Sequence, residues 1–360
     1  DPASGQKNYA IVQVEDELAA IGVAIGAGWN GARAFTATSG PGVSLMTEFL
    51  GLAYFTETPM VLVNVQRSGP STGMPTRTQQ SDILACAYAS HGDTKQVLLF
   101  PDSPSECFAL SAQAFDIAEQ LQTPVIVMSD LDLGMNDHLT TAFSWQDDKA
   151  YQRGKVLSAK QLDEVEVFGR YLDVDDDGIC YRTLPGTHPD KGAYFNRGTS
   201  RNHFAGYTEK SADYVDNMER LTKKFINSVK FLPEPEIQQA KSRGQLGLIF
   251  FGTSSHPIAE AVDQLKEQGL IADCLRIRAF PFHQTIEQFI EEHSCNNKQV
   301  FVIEQNRDAQ MKSLLVNELQ IDPNKLASIL NFDGLPVTSH LIVESVLSIL
   351  ASNQKNTKTG

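Results

Sequence analysis

The residues best suited to chemistry sit where apolar runs give way to polar turns. Glu15-Asp16-Glu17 opens the helical pattern EDELAAIGVAIGAG, directly after the apolar-rich run Tyr9–Val14. Acidic side chains stabilise a helix N-terminus by roughly 0.3–1 kcal/mol each, so capping accounts for them. The functional alternative is a carboxylate projecting into a cleft, because ligands of open α/β sheets bind at the carboxyl ends of the strands. Ser39-Gly40-Pro41-Gly42 follows a second run ending at Thr38. Its glycines allow close backbone approach, and the helix start behind them favours an anion. It matches neither Walker A nor GxGxxG, so it does not imply a nucleotide. Arg67 stands just past a third run and opens a loop with Ser68, Ser71 and Thr72. A guanidinium fork matches a carboxylate; a surface arginine in a flexible loop is the plainer reading.

Other motifs are weaker. Asp173, Asp175 and Asp177 followed by Gly178 reproduce the first half of a calcium loop. The twelfth position, where a bidentate acid is needed, is Leu184, which excludes an EF-hand. A looser calcium or magnesium site and a solvated acidic turn both stay open. The histidines do not cluster, and neither HExxH nor GxSxG occurs, so metalloprotease and serine-hydrolase readings lack support.

The elements that must position these residues follow from the apolar pattern. Tyr9–Val14, Ala34–Thr38, Met60–Val65, Gln96–Phe100 and Pro124–Met128 read as strands, with helices over Val43–Phe55 and Pro104–Leu121. Strands alternating with helices predict α/β architecture, a parallel sheet covered on both faces. From about residue 146 to 240 the chain is polar, with one helical stretch, Ala212–Val229; it reads as a long connecting segment covering a neighbouring surface. A second α/β unit spans 241–351, with strands Leu246–Phe251, Asp273–Ile277 and Gln299–Glu304 and helices Pro257–Gln268, Gln310–Leu319 and Ile342–Leu350. Residues 352–360 read as a disordered tail.

Composition limits the partners. A net charge of −14 over 360 residues disfavours nucleic acids and membrane surfaces. No apolar run reaches the roughly 18 residues of a membrane span, and the N-terminus lacks the pattern of a secretory signal. The five cysteines show no CxxC spacing, which argues against a zinc site or iron–sulfur cluster held by this chain alone. An odd count fits a reducing cytoplasm.

Several of these motifs together resemble a known family. QVEDELAAIGVAIGAGWNGARAFTATSGPG and ETPMVLVNVQRSGPSTGMPTRTQQSD are similar to the alpha subunit of 2-oxoacid:ferredoxin oxidoreductases, especially the 2-oxoglutarate type. DVDDDGICYRTLPGTHPDKGAYFNRGT resembles that subunit's connecting segment, and LRIRAFPF and VFVIEQN its second domain, which is similar to the transketolase C-terminal domain. The resemblance implies a pyrimidine-binding domain over 1–145 of a thiamine-diphosphate enzyme. It also implies an N-terminally incomplete one, since no initial strand with a YPITP-type loop precedes Tyr9. Without a GDG…N motif or cluster cysteines, the diphosphate, Mg²⁺ and iron–sulfur cluster belong to a beta subunit, as in a dimer of heterodimers.

The resemblance implies roles as well. Glu17 matches the glutamate that activates the aminopyrimidine ring, Arg67 the arginine that holds the substrate carboxylate with Ser68 and Thr72 beside it, and Thr38, Ser39 and Gly40 the loop near the pyrimidine. The reaction would be oxidative decarboxylation of a 2-oxoacid, with electrons passing to ferredoxin and the acyl group to coenzyme A. Ferredoxins are acidic, so like charge directs docking to the beta subunit rather than this chain. The competing readings are a non-redox thiamine-dependent carboligase or transketolase-like enzyme, and a non-catalytic scaffold.

Overall fold

The computed structural model describes residue 5 and residues 7–145, 150–240, 244–295 and 299–359. The first part of the chain runs α1 (Glu17–Trp29), β1 (Phe35–Thr38), α2 (Gly40–Thr56), β2 (Met60–Gln66), α3 (Ile83–Ala87), β3 (Val97–Leu99), α4 (Pro104–Leu121), β4 (Pro124–Asp130) and α5 (Leu131–Met135). The connecting segment carries α6 (Ala159–Glu164) and α7 (Ser211–Asn227). The last part runs β5 (Glu236–Gln238), β6 (Leu246–Phe251), α8 (Ile258–Glu267), β7 (Ala272–Ile277), β8 (Ala279–Phe280), α9 (Gln284–Ser294), β9 (Gln299–Glu304), α10 (Gln310–Leu319), β10 (Leu326–Leu330) and α11 (Ser339–Thr359).

The architecture is α/β, built on two five-stranded sheets with orders β1-β2-β4-β3-β8 and β10-β9-β6-β7-β5. In the first, β1, β2, β4 and β3 are parallel. The Val/Ile/Leu runs of β2, β3 and β4 are what a sheet covered on both faces requires, while β1, Phe-Thr-Ala-Thr, is a partly exposed edge. β8 comes from the last part of the chain and pairs antiparallel with β3, Leu98 opposite Phe280. β5, which precedes residue 241, forms the antiparallel edge of the second sheet. Sheet membership thus crosses both expected domain boundaries. One apolar core, with Met46, Leu62, Phe100, Phe251, Ile277 and Leu314 among its members, spans both halves. Ion pairs reinforce the seam. Arg276 on β7 grips Glu106 on α4 at 2.6 Å and 2.8 Å, and Arg278 adds a bond at 2.6 Å. Burial would raise the Glu106 pKa, but the two arginines hold it down at about 2.

The connecting segment is pinned to the C-terminal end of α2. Glu57 caps that helix in the left-handed region, at φ 55°, where glycine is usual. Its buried carboxylate receives Arg220 at 2.5 Å and 3.0 Å, Lys224 at 2.9 Å and Arg201 at 3.2 Å. Arg170 donates to the Glu57 carbonyl at 3.0 Å, and Arg201 also donates to the carbonyl of Phe55. Cations suit a helix C-terminus, where the backbone dipole ends negative. Burial alone would raise the Glu57 pKa; Arg220, Lys224 and Arg201 outweigh it and hold the carboxyl well below the usual range. Three cations share one carboxylate, and Arg220 takes both oxygens. Burial therefore wins for the others, lowering Lys224 to about 8 and Arg201 to about 10.

Two expectations differ from the structure, and one open reading gains detail. Tyr9–Val14 forms no strand among the described residues, and Tyr9, Ile11 and Val12 are exposed. An alternating apolar pattern makes a strand only where a neighbouring strand supplies hydrogen bonds, and none is beside it here. Residues 352–359 continue α11 rather than forming a disordered tail. Neither Gly nor Pro interrupts ASNQKNTKT, so nothing in the sequence stops the helix. The acidic turn after Asp173 is closed by lysines. Lys155 meets Asp175 at 2.7 Å and Asp177 at 2.8 Å, and Lys223 meets Asp173 and Asp176. Asp173 accepts the backbone N–H groups of Asp177 and Gly178. Among the described residues no group of acids, histidines or cysteines is placed to hold a metal ion. None of the helices searched is long and apolar enough to cross a membrane.

Candidate functional site

The carboxyl ends of β1 and β2 open into a cleft of about 730 Å³. The start of α2 forms one wall, with Gly40, Pro41 and Ser44. The loop after β2 contributes Arg67, Ser68 and Ser71, the start of α3 contributes Asp82, and the loop after β9 contributes Asn306 and Arg307. A second hollow of about 710 Å³ lies between α7, β8 and α10. Its cation, Lys95, already pairs with Glu318 at 2.7 Å.

The three acids at the start of α1 divide their work. Asp16 is the N-cap, accepting from the Ala19 N–H at 2.8 Å. Glu15 is exposed. Glu17 is half-buried, and its Cγ lies 3.0 Å from where a Cβ on Gly42 would stand. That same Cβ would overlap the Thr38 hydroxyl. Only glycine at 42 lets Glu17, Thr38 and the start of α2 approach so closely. Ser39 is the N-cap of α2 but makes no side-chain capping bond.

Gly40 is required for a second carboxylate. A Cβ there would stand 2.7 Å and 2.8 Å from the two oxygens of Asp82. Asp82 is fixed from below: Asn64 on β2 donates to Oδ2 at 3.1 Å, and the Asp82 N–H donates to Gln66 Oε1 at 3.1 Å. Burial pushes its pKa up, against the Asn64 bond and the Arg67 charge. The last part of the chain holds this loop in place. Gln310 donates to the Ser81 carbonyl at 2.7 Å, Asn306 to the Gln80 carbonyl at 3.1 Å, and the Gln80 N–H to the Gln305 carbonyl at 2.7 Å.

Arg67 lines the cleft with no ion pair or hydrogen bond among the described residues; its Nε is buried without a partner. An unpaired guanidinium is costly to hold in a half-buried position and calls for an anion. Two residues named with it do not share this availability. The Ser68 hydroxyl is buried and donates to the Thr78 carbonyl at 3.2 Å, so it stabilises the loop. Thr72 is exposed and outside the cleft lining. Asp82, Asn306 and Arg307 are the residues that sequence reasoning did not single out. QQSD and VIEQN carried Asp82 and Asn306 within the resemblance, but without a role, and Arg307 lies just past the second motif.

Comparisons with known proteins show the family. Residues 2–223 match the family described as pyruvate flavodoxin/ferredoxin oxidoreductase, thiamine-diphosphate-binding. The alpha subunit of 2-oxoacid:ferredoxin oxidoreductase 2 from Aeropyrum pernix is 33% identical over 349 residues, 96% of this chain and 52% of that protein. The 2-oxoglutarate synthase subunit KorA of Methanocaldococcus jannaschii is 32% identical over 281 residues, 75% of this chain and 70% of that protein. A solved 2-oxoglutarate:ferredoxin oxidoreductase from Magnetococcus marinus, with 2-oxoglutarate, coenzyme A and succinyl-CoA bound, superposes with a TM-score of 0.83 at 28% identity. That match covers 97% of this chain and 58% of the other. The chain thus spans little more than half the length of some relatives.

Proposed function

Because the chain belongs to the thiamine-diphosphate-binding family of pyruvate flavodoxin/ferredoxin oxidoreductases, we propose that it is the alpha subunit of a 2-oxoacid:ferredoxin oxidoreductase acting on 2-oxoglutarate. The observation that carries this reading is Arg67, an unpaired cation in a cleft at the carboxyl end of a parallel strand. The relatives supply the choice of 2-oxoglutarate, being named for it in Methanocaldococcus jannaschii and Magnetococcus marinus.

The residues present fit one end of thiamine diphosphate. The loop of Thr38, Ser39 and Gly40 with Glu17 and Gly42 is a tight, carboxylate-backed wall suited to a flat aminopyrimidine. Among the described residues no group of acids, histidines or cysteines is placed to hold Mg²⁺; in this reading a beta subunit supplies the diphosphate end. When bound, the cofactor provides the carbon nucleophile that attacks the keto group. Glu17 holds a proton at the pyrimidine ring nitrogen, which a carboxylate at hydrogen-bonding distance does well. Arg67 binds the 2-oxoacid carboxylate through paired N–H groups and orients the neighbouring keto carbon. The same carboxylate leaves as CO₂, so the clamp must hold it firmly without outlasting the bond it positions. In this reading an iron–sulfur cluster of the beta subunit would supply the route for electrons to ferredoxin, and coenzyme A would be the acyl acceptor. A net charge of −14 directs acidic ferredoxin away from this chain. Cross-links concentrated on this chain would contradict that docking.

Reconstitution with the beta subunit tests the reading. A panel of 2-oxoacids, assayed by acyl-CoA formation with reduction of a low-potential dye, is expected to give the highest kcat/KM for 2-oxoglutarate. Preference for pyruvate would overturn the substrate assignment. Glu17→Gln is expected to lower kcat by about 10²–10⁴, while the exposed Glu15→Gln changes it little. Wild-type turnover in Glu17→Gln would remove Glu17 from the mechanism.

A further inference from the structure

The cleft contains a charge that the proposed reaction has not used. Asp82 is an acid at the mouth of α3, held from behind by Asn64 and pressed flat on Gly40. It lines the same cleft as Arg67, yet no ion pair of 4.0 Å or less joins them among the described residues. Arg67 has no closer partner among the described residues. We infer that Asp82 is a positioning residue for substrate binding, the counter-charge that holds the Arg67 guanidinium toward the cleft without occupying its hydrogen-bond donors.

The inference rests on the reading of Arg67 as the carboxylate clamp. An arginine with a touching carboxylate must break that pair before it can bind a substrate acid, and an arginine with no counter-charge wanders over many rotamers. A carboxylate just beyond contact avoids both penalties. It attracts the guanidinium over a distance where water is partly excluded, and it leaves both N–H edges for the ligand. The surroundings are built to keep Asp82 in place. Asn64 restrains Oδ2, Gln66 takes the Asp82 N–H, and Gln310 holds the preceding Ser81 carbonyl. Gly40 permits an approach that any larger residue would block. A merely structural acid at a helix mouth would instead cap α3, and Asp82 makes no side-chain capping bond there.

A double-mutant cycle in the reconstituted enzyme tests this. Asp82→Asn keeps shape and the Asn64 contact but removes the charge. It is expected to raise KM for the 2-oxoacid about tenfold, with kcat changed less than about threefold. In an Arg67→Ala background the same change is expected to have no further effect on KM, because the side chain it positions is gone. Thermal unfolding of both single variants checks that the fold persists. An unchanged KM in Asp82→Asn, or effects that simply multiply in the double variant, would overturn the positioning role. If Arg67→Ala itself leaves KM unchanged, the clamp reading fails instead, so the two failures are distinguishable.

Discussion

The two ends of α2 carry opposite solutions to one electrostatic problem. At its C-terminus a single carboxylate, Glu57, is fully buried and surrounded by Arg201, Arg220 and Lys224. At its N-terminus, Gly40 and Gly42 admit Asp82 and Glu17, and the nearby Arg67 stays unpaired at the cleft. The first end is closed, and its charges are spent on holding the connecting segment. The second is open, and its Arg67 has no ion pair among the described residues. Charge satisfied within the chain stabilises the fold; charge left unsatisfied in a concave wall is available for chemistry.

The sharpest break of this comparison is Glu57→Gln. Removing one partner of a buried ionic group leaves the others uncompensated, so a loss of about 3–5 kcal/mol is expected in denaturant unfolding. A loss below about 1 kcal/mol would mean that the closed end does not anchor the segment. At the open end, Gly40→Ala drives a methyl group into the Asp82 carboxylate. Overpacking of this kind costs about 1–3 kcal/mol, and KM for the 2-oxoacid is expected to rise with it. An unaffected KM would separate Gly40 from the site.

A pH titration sharpens the contrast further. Unfolded Lys224 keeps its proton up to the ordinary 10.5, whereas folded Lys224 releases it at about 8. The unfolded state therefore binds more protons between those values, and this residue's contribution to stability rises with pH across that window. The slope cannot exceed about 1.4 kcal/mol per pH unit for one proton, and Lys224→Met is expected to abolish it. Glu57 works in the same direction at lower pH. Its lowered pKa gives stability above the ordinary carboxylate range that is lost as pH falls through the folded value. The smallest effect belongs to the acidic turn. Lys155→Ala is expected to change stability by about 0–1 kcal/mol, because its pairs with Asp175 and Asp177 are partly exposed. Calcium or magnesium protecting wild type from unfolding would contradict the lysine-closed turn.

The open end was far more legible in the sequence than the closed one. Arg67 follows a run that can only be a buried strand, and strand ends in parallel sheets face ligands. Glu17 was singled out by the sequence around it, and the structure assigns the capping to Asp16. Glu57 was unreadable, because its partners lie 144, 163 and 167 residues away. The polar composition of 146–240 also concealed burial: Arg170, Tyr171 and Arg201 are almost fully buried within it. A polar residue looks the same in sequence whether water or a carboxylate satisfies it. Asp82 was missed for a similar reason. Its meaning depends on Gly40, Asn64 and Arg67 meeting it in space.

The two-residue strand β8 changes what a cut in this chain would do. Because Leu98 and Leu99 take their last partners from Phe280 and Ala279, the final third of the protein completes a layer begun in the first. Cleavage within 146–240 would leave two pieces that still need one another, and neither would keep its edge covered alone. Melting is therefore expected as one transition rather than two, and inheritance of the halves as separate polypeptides would demand that they find each other before either is soundly folded.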